Sequence, residues 1–313
     1  MPEEVLVSGE TGDDAAVYLL PDGRALVATV DFFTPIVDDP YDWGRVAAAN
    51  AFSDVYAMGA SPRVALNVAA WPIDDLPVDL LARVLQGGQD VAEEAGALVL
   101  GGHTITDPEP KYGMVVIGFA DPERIVRSST VPPGAALFLT KPLGLGILST
   151  AIKDGKATDG QIRTAVELMT TLNARACEAM IAARAEAATD VTGFGLLGHL
   201  QRMLEASGVS AVVDAAAVEM LPGTLELARR GLVPGGTRRN LAFVRPHLDP
   251  GELTEPEQLV LADAQTSGGL LIAATDADRL TSALVRSGVP AMRIGRTEQG
   301  EPGSIRIGSG FEE

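Results

Sequence analysis

Strand-like and helix-like segments alternate along both halves of this chain, which limits the folds that it can adopt. Near the start, the apolar runs 15–20 and 25–30 flank a Pro-Asp-Gly-Arg turn, so a hairpin is expected. A helix is expected next, from Pro40 to about Met58, with Asp39 as its N-cap. In the second half, strands are expected at 135–140, 209–213 and 270–274. This alternation predicts an α/β or layered α+β fold.

A stretch with three prolines, residues 121–134, separates the two halves and is the best candidate for an inter-domain linker. The length of 313 residues suits about two domains. We therefore expect an N-terminal domain over residues 1–125 and a C-terminal domain over residues 126–313.

Two further expectations concern the first half. The helical pattern over 77–96 is interrupted by Gly87-Gly88. A short buried strand is expected at 97–100, and a glycine-rich loop is expected to follow it.

The charge and the apolar pattern exclude several classes of function. The formal net charge of −18 disfavours non-specific binding of nucleic acids, because such a chain repels a phosphate backbone. No apolar run reaches about 18 residues, so no membrane span is expected. The first residues lack the pattern of a secretory signal, and a cytoplasmic location is expected. Cys177 is the single cysteine, which excludes a disulfide within the chain.

Acidic side chains recur where the chain is expected to change direction. Asp13 and Asp14 precede the first strand of the hairpin, Asp31 follows the second, and Asp190 precedes a glycine-rich turn. Mg²⁺ prefers one or two such carboxylates together with phosphate oxygens. Any one of them could instead lie solvated on a loop. Asp54 differs, because its predicted helix is almost wholly apolar and a buried carboxylate needs a partner or a metal.

The segment Gly193–Gly198 matches the G-x-G-x-x-G pattern of dinucleotide-binding folds, and Asp214 follows at a suitable distance. The residues before it, 187–192, lack a strong buried strand, so a dinucleotide site is disfavoured. Other glycine-rich loops could bring backbone N–H groups close to phosphates.

The sequence leaves the roles of four individual side chains undecided. His103 lies in a glycine-rich loop and could contact a ligand, whereas His199 is expected to be packed or exposed. Cys177 is expected to be a small core residue. Lys141, at the end of an expected strand, suggests a contact with phosphate.

Several motifs, taken together in order and spacing, resemble the selenophosphate synthetase (selenide, water dikinase) family. This family belongs to the superfamily of aminoimidazole ribonucleotide synthetase-like ATP enzymes. The motifs are residues 12–17, 31–40, 44–59, 101–104, 190–199, 234–237 and 265–270.

The resemblance implies a function, a fold and a set of site residues. The family makes selenophosphate from selenide, ATP and water and releases AMP and phosphate. The implied fold has two α/β domains, and the N-terminal domains of a homodimer pair to close a β-barrel. The matching magnesium ligands are Asp14, Asp54 and Asp190. The matching nucleotide contacts are Thr11, Gly12, Asp13, Asp31 and Asp54. The segment Gly101, Gly102, His103 and Thr104 matches one that reaches the nucleotide of the other subunit.

The chain departs from the family pattern at two places. Ala264 stands where the family usually has proline. The family also carries a reactive cysteine or selenocysteine with a nearby lysine upstream of its Gly-Asp-Asp motif, and neither has a match here. We therefore expect a reading frame begun too late, no catalytic residue of that kind among residues 1–313, and little selenophosphate formed by these residues alone. Two alternatives stay open: another superfamily enzyme, such as a thiamine-monophosphate-type kinase, and a non-catalytic nucleotide-binding remnant.

Overall fold

The computed structural model describes residues 2–9 and 12–309, and it contains two mixed β-sheets with helices packed on them. The first sheet has the strand order β1-β2-β3-β6-β4-β5. All of its neighbouring strands are antiparallel except β4 and β5. Its strands are β1 (Val5–Val7), β2 (Ala16–Leu19), β3 (Ala25–Phe33), β4 (Ser61–Trp71), β5 (Leu98–Thr106) and β6 (Lys111–Ala120).

The predicted hairpin is confirmed as β2 and β3, which pair antiparallel from Leu19 opposite Ala25. Gly23 takes a φ of +87°, a conformation that glycine adopts without steric cost. The turn therefore follows from its local sequence, and it aligns the strand that carries Asp31.

The predicted first helix is confirmed as α1 (Pro40–Ala57), and the carboxylate of Asp39 caps its N-terminus. Helix α1 contacts strands β3 and β6, helix α2 and, from the C-terminal half, β8, α4 and α5. Its alanine-rich surface is buried on nearly every side because it lies between the two halves of the molecule. A helix in this position needs small side chains all round rather than one apolar stripe.

The expected interruption of the next helix is wrong, because α2 (Val78–Glu94) is continuous through Gly87 and Gly88. A Cβ atom on Gly87 would lie 2.1 Å from the Tyr41 carbonyl oxygen, and one on Gly88 would lie 1.9 Å from the Tyr112 hydroxyl. The two glycines thus serve close packing against α1 and the sheet, and this packing overrides their weak helix propensity.

The strand expected at 97–100 is confirmed as the start of β5, but the expectation that it is short and buried is wrong, because β5 has nine residues, lies at the sheet edge and is largely exposed. Leu98 and Leu100 are 65% and 64% exposed. The strand continues through the glycines that suggested a loop, since β4 supplies a parallel partner for them.

The second sheet has the strand order β10-β13-β9-β12-β7-β11-β8. Its strands are β7 (Ala136–Leu139), β8 (Ala187–Asp190), β9 (Ser210–Asp214), β10 (Leu248–Asp249), β11 (Leu270–Ala274), β12 (Met292–Glu298) and β13 (Ile305–Ser309). Its helices are α3 (Leu145–Lys153), α4 (Asp159–Thr170), α5 (Ala174–Ala183), α6 (Gly195–Ser207), α7 (Thr224–Arg229), α8 (Gly235–Val244), α9 (Glu255–Leu261) and α10 (Ala277–Arg286). Short 3₁₀ turns are Pro122–Arg124, Ala215–Ala217 and Arg245–His247.

The segment before the G-x-G-x-x-G match contains a buried strand after all, since all four residues of β8 are buried. Two of the four residues of β8 are polar, and for this reason the sequence did not indicate a buried strand. The topology nevertheless differs from a dinucleotide-binding fold. Strand β8 pairs antiparallel with β11, and three strands separate it from β9, so no β8-α6-β9 unit of adjacent parallel strands forms.

The two halves together match the expected layered α/β class. The linker stretch 121–134 contains one 3₁₀ turn and no strand or longer helix. The boundary between residues 125 and 126 stays a prediction. Within the described residues, no helix combines the length and the apolar character that crossing a membrane requires.

Candidate nucleotide and metal site

A cavity of about 300 Å³ lies where the first sheet, α1 and the start of α6 meet. The three predicted magnesium ligands line it and come from distant parts of the chain. Asp14 precedes β2, Asp54 lies on α1, and Asp190 ends β8. The fold thus brings the three predicted magnesium ligands to one cavity, although they are up to 176 residues apart in sequence.

Hydrogen bonds satisfy only part of this carboxylate cluster. Asp14 accepts a bond of 2.7 Å from the Thr189 hydroxyl, and Asp54 accepts one from the Thr29 hydroxyl. One oxygen of Asp14 (Oδ2) and one oxygen of Asp190 (Oδ2) are buried without any hydrogen-bond partner. Buried polar atoms without a partner are rare and costly, so these oxygens suit a ligand that is a cation.

The pKa values of the three carboxyl groups also indicate a site for a cation. Burial, reinforced by the charge of Asp190, raises the pKa values of Asp14 and Asp54 well above the ordinary carboxyl value. Burial also raises the pKa of Asp190 to about 6, although a hydrogen bond from Ser53 opposes the shift. Three such groups resist joint ionisation unless a positive charge lies among them.

The donor set fits Mg²⁺ when phosphate oxygens complete it. Among residues 2–9 and 12–309, no group of three or more His, Cys, Asp or Glu side chains forms a metal site by itself. Mg²⁺ commonly takes one or two carboxylates with substrate phosphates rather than a cage made of protein ligands alone. The metal assignment of Asp14, Asp54 and Asp190 stays a prediction.

The predicted nucleotide contacts fall into two groups. Gly12 and Asp13 line the cavity beside Asp14. The carboxylate of Asp13 accepts two bonds of 2.7 Å from the backbone N–H and the hydroxyl of Ser128. Asp13 therefore also ties the start of the first sheet to the segment that leads into the C-terminal half. Thr11 lies outside the described residues.

Asp31 lies on β3 near the cavity, and its carboxylate accepts a hydrogen bond from the Asn50 side chain. Burial raises the pKa of Asp31, and the bond from Asn50 opposes that rise. Asn50 and Asp54 lie one turn apart on α1. One helix face thus supports Asp31 and supplies Asp54.

The predicted segment Gly101, Gly102, His103 and Thr104 lies elsewhere. These four described residues are exposed on β5 and do not line the cavity. A Cβ atom on Gly102 would lie 2.1 Å from the Asn67 carbonyl oxygen, so close pairing with β4 accounts for this glycine. A contact between this segment and a nucleotide would require another subunit.

Three residues of α6 line the cavity without having been predicted as site residues, and two of them, His199 and Arg202, are polar. The Nε2 atom of His199 accepts a bond of 3.1 Å from the Thr192 N–H, and burial lowers its pKa to about 3. The Arg202 guanidinium lies 3.9 Å from the centre of the Phe194 ring. Their spacing of three on a helix places them on one face, and this was the only signal that the sequence offered.

The other two side chains considered singly, Cys177 and Lys141, are both buried. Cys177 is buried in the core as expected, and burial raises its pKa to about 12. The expected phosphate contact of Lys141 is not supported, since its ammonium group donates to the carbonyl oxygens of Thr171 and Ser267. Burial lowers the pKa of Lys141 to about 7.

Comparisons with known proteins agree with this geometry. The sequence matches the family "AIR synthase related protein", with its N-terminal domain over residues 12–120 and its C-terminal domain over residues 132–308. The selenide, water dikinase of Carboxydothermus hydrogenoformans is 50% identical over 293 residues, which cover 93% of this chain and 85% of that protein. The enzyme of the same name from Myxococcus xanthus is 48% identical over 310 residues, covering 97% and 88% of the two chains.

Solved structures show similarity of fold at lower identity. The thiamine-monophosphate kinase of Stenotrophomonas maltophilia has a TM-score of 0.72 at 20% identity, covering 99% of this chain and 93% of that one. The hydrogenase maturation protein HypE in complex with ATP has a TM-score of 0.68 at 20% identity, covering 91% and 82%.

Proposed function

Because the chain belongs to the selenide, water dikinase family, we propose that it makes selenophosphate from selenide, ATP and water, with AMP and phosphate as the other products. The observation that carries the proposal is the identity of about half of all residues with enzymes of this name over nearly the whole chain. A cavity that gathers three carboxylates with unsatisfied oxygens supports it.

In the proposed site, Asp14, Asp54 and Asp190 hold magnesium through their cavity-facing oxygens. When bound, Mg²⁺ would offset the charge that develops during phosphoryl transfer. The side chains contribute by being fixed before the substrate arrives. The hydroxyl groups of Thr29 and Thr189 hold Asp54 and Asp14 in place.

The proposed nucleotide contacts are Gly12, Asp13, Asp31 and Asp54, with Thr11 beside them in sequence. Gly12 has a φ of +71° and is exposed, so backbone at this turn is open to a phosphate group. We also propose that Arg202 contacts phosphate from the cavity wall, since its charge is positive and its guanidinium is held against Phe194.

We further propose a homodimer in which the first sheets of two subunits pair to close a β-barrel. The sheet face opposite α1 exposes large apolar side chains from both β3 and β5: Val30, Phe32, Leu98, Leu100 and Ile105. Exposed apolar surface on one face of a sheet is typical of an interface between proteins. Residues Gly101 to Thr104 would then reach the nucleotide of the partner subunit. Sedimentation equilibrium should give a mass near twice 32.5 kDa, and Leu100→Lys should shift it towards the single-chain mass.

The thiamine-monophosphate kinase alternative rests on similarity of fold at about 20% identity, whereas the dikinase assignment rests on 50% identity. One incubation with ATP, Mg²⁺ and selenide, followed by phosphorus NMR, separates the two. From a chain that supplies the family's reactive residue we expect selenophosphate, AMP and phosphate, and from residues 1–313 alone we expect little selenophosphate. A reaction that stops at ADP would contradict the dikinase proposal, and bound but unchanged ATP would indicate a nucleotide-binding remnant.

The incubation should compare residues 1–313 with a chain translated also from the in-frame codons before Met1. This second arm is needed because the reactive cysteine or selenocysteine of the family has no match in the printed sequence. A thiolate or selenolate is the nucleophilic form of such a group near neutral pH. Product in either arm supports the proposal, and ATP turnover without selenophosphate in both arms contradicts it.

A further inference from the structure

The loop of residues 265–269, which leads into β11, lies against helix α1 from the other half of the molecule. Its central residue, Ser267, has a φ of +48°, which a side chain other than glycine rarely adopts. The Ser267 N–H donates a bond of 2.8 Å to Oδ1 of Asn50. The Ser267 carbonyl oxygen accepts a bond of 2.7 Å from Lys141. The strained residue is therefore held from both sides.

Lys141 holds this loop at an energetic cost. Its side chain is 5% exposed, and its ammonium group donates a second bond of 2.6 Å to the Thr171 carbonyl oxygen. It forms no ion pair with any residue of the described ranges 2–9 and 12–309. The charge of Asp190 favours the charged form of Lys141 but makes no ion pair with it. Burying an ammonium group without a paired carboxylate is unfavourable, and a methionine would fill a similar volume without that cost. Packing alone does not explain the amine.

Contacts continue from this loop to the carboxylates of the candidate site along two routes. On the first route, the amide of Asn50 accepts from Ser267 through Oδ1 and donates to Asp31 through Nδ2. The orientation of this amide is thus fixed from both ends, and it sets the position of the Asp31 carboxylate.

The second route runs through Asn173, two residues after the carbonyl that Lys141 binds. The Asn173 amide donates bonds of 2.8 Å to the Gly268 carbonyl oxygen and 2.9 Å to the Ser53 hydroxyl. Ser53 in turn hydrogen-bonds the carboxylate of Asp190. The same loop therefore supports one nucleotide-side and one metal-side carboxylate.

We propose that Lys141 is a positioning residue: its ammonium group clamps the 265–269 loop onto α1, so that Asn50 and Ser53 fix Asp31 and Asp190 for the nucleotide and its metal. This inference rests on the proposed function, because it assumes a nucleotide bound at these carboxylates. Lys141 contacts no substrate in this arrangement. It acts through the loop, and its charge also lowers the pKa of Asp190.

The test measures binding rather than turnover. Isothermal titration calorimetry with the non-hydrolysable ATP analogue AMPPCP and Mg²⁺ compares the unsubstituted chain with Lys141→Met. We expect the Kd to rise roughly fivefold or more, within the range of couplings for residues in one hydrogen-bond network. The control is Thr297→Val, which removes a buried hydroxyl bonded to Ala135 and Pro132 in the same half of the molecule. This control should leave the Kd unchanged even where it lowers the melting temperature.

A double-mutant cycle with Asn50→Ala distinguishes positioning from a general loss of stability. If Lys141 acts through Asn50, the two losses of affinity are less than additive in the double variant. Fully additive losses, or a Kd for Lys141→Met equal to that of the unsubstituted chain, would overturn the inference while leaving the proposed function intact. Failure of the unsubstituted chain to bind AMPPCP would overturn the proposed function, and the inference with it.

Discussion

The molecule contains two buried carboxylate centres that differ in how their oxygens are used. Asp263, in the C-terminal half, accepts bonds from the Thr237 hydroxyl, the N–H groups of Gly146 and Ile147, and the Gln265 amide. In the cluster of Asp14, Asp54 and Asp190, by contrast, two buried oxygens have no partner. Asp263 thus holds α3, α8 and the 265–269 loop together by itself, whereas the cluster is incomplete.

Burial raises carboxyl pKa values in both centres, so the shift alone does not separate them. What separates them is whether hydrogen bonds occupy the lone pairs. A satisfied buried carboxylate stabilises the fold, and an unsatisfied group of three is suited to a cation. The predictions below test that distinction.

The largest effect is expected for Asp263→Ala. The substitution leaves a buried hydroxyl, an amide and two N–H groups without their acceptor, which should lower the free energy of unfolding by about 3–5 kcal/mol. Urea denaturation measures it. The matched variant Asp190→Asn should cost far less, because it removes a buried charge that lacks full pairing. Equal losses in the two variants would contradict the distinction.

The second-largest effect is expected for Asp54→Asn, a substitution in the carboxylate cluster. The substitution should lower ATP turnover by on the order of 100-fold, because it removes a proposed metal ligand, while the fold persists. Steady-state release of phosphate and circular dichroism measure the two quantities. Turnover at the rate of the unsubstituted chain would show that Asp54 does not hold the metal.

Ligand binding at the cluster of Asp14, Asp54 and Asp190 should stabilise the fold. Mg²⁺ with AMPPCP at a hundredfold excess over the Kd should raise the free energy of unfolding by about 2.7 kcal/mol, since the ligand binds the native state. Differential scanning fluorimetry should show a higher melting temperature that EDTA reverses. An unchanged melting temperature at millimolar ligand would count against a nucleotide site.

The smallest effect concerns pH at Asp263, whose pKa burial raises to about 7. The folded state then takes up a proton before the unfolded state does, so its contribution to stability is present at low pH and is lost as pH rises through 7. Between pH 8 and pH 6 the unsubstituted chain should gain about 1 kcal/mol relative to Asp263→Asn. Parallel denaturation curves at the two pH values check this, and identical pH dependence in the two proteins would refute it.

The sequence predicted the structure correctly where residues close together in the chain determine it. The hairpin turn at 21–24 and the capped helix from Pro40 carry their signals within a few residues. The apolar helix around Asp54 also singled out this carboxylate from the sequence, and in the structure Asp54 lines the cavity with Asp14 and Asp190.

The sequence did not predict the structure where contacts between residues far apart in the chain determine it. Strand β5 extends through glycines because β4 pairs with it, and α2 stays straight because α1 packs on its glycines. Asp263 gave no signal, since its partner N–H groups in α3 are 116 and 117 residues away. No local pattern reports such contacts.

The position of α1 between the two halves has a consequence for protein synthesis. Residues 1–125 leave the ribosome while the 265–269 loop is still untranslated, and at 5–20 residues per second the delay is roughly 10–30 s. During that interval Asn50 lacks its contact with Ser267. The alanine-rich surface of α1 lacks its cover from α4, α5 and β8 only until residues 159–190 have been made. The N-terminal half therefore reaches its final packing in two steps. Helix α1 is covered once residues 159–190 have been made, and the contact of Asn50 with the 265–269 loop forms only later.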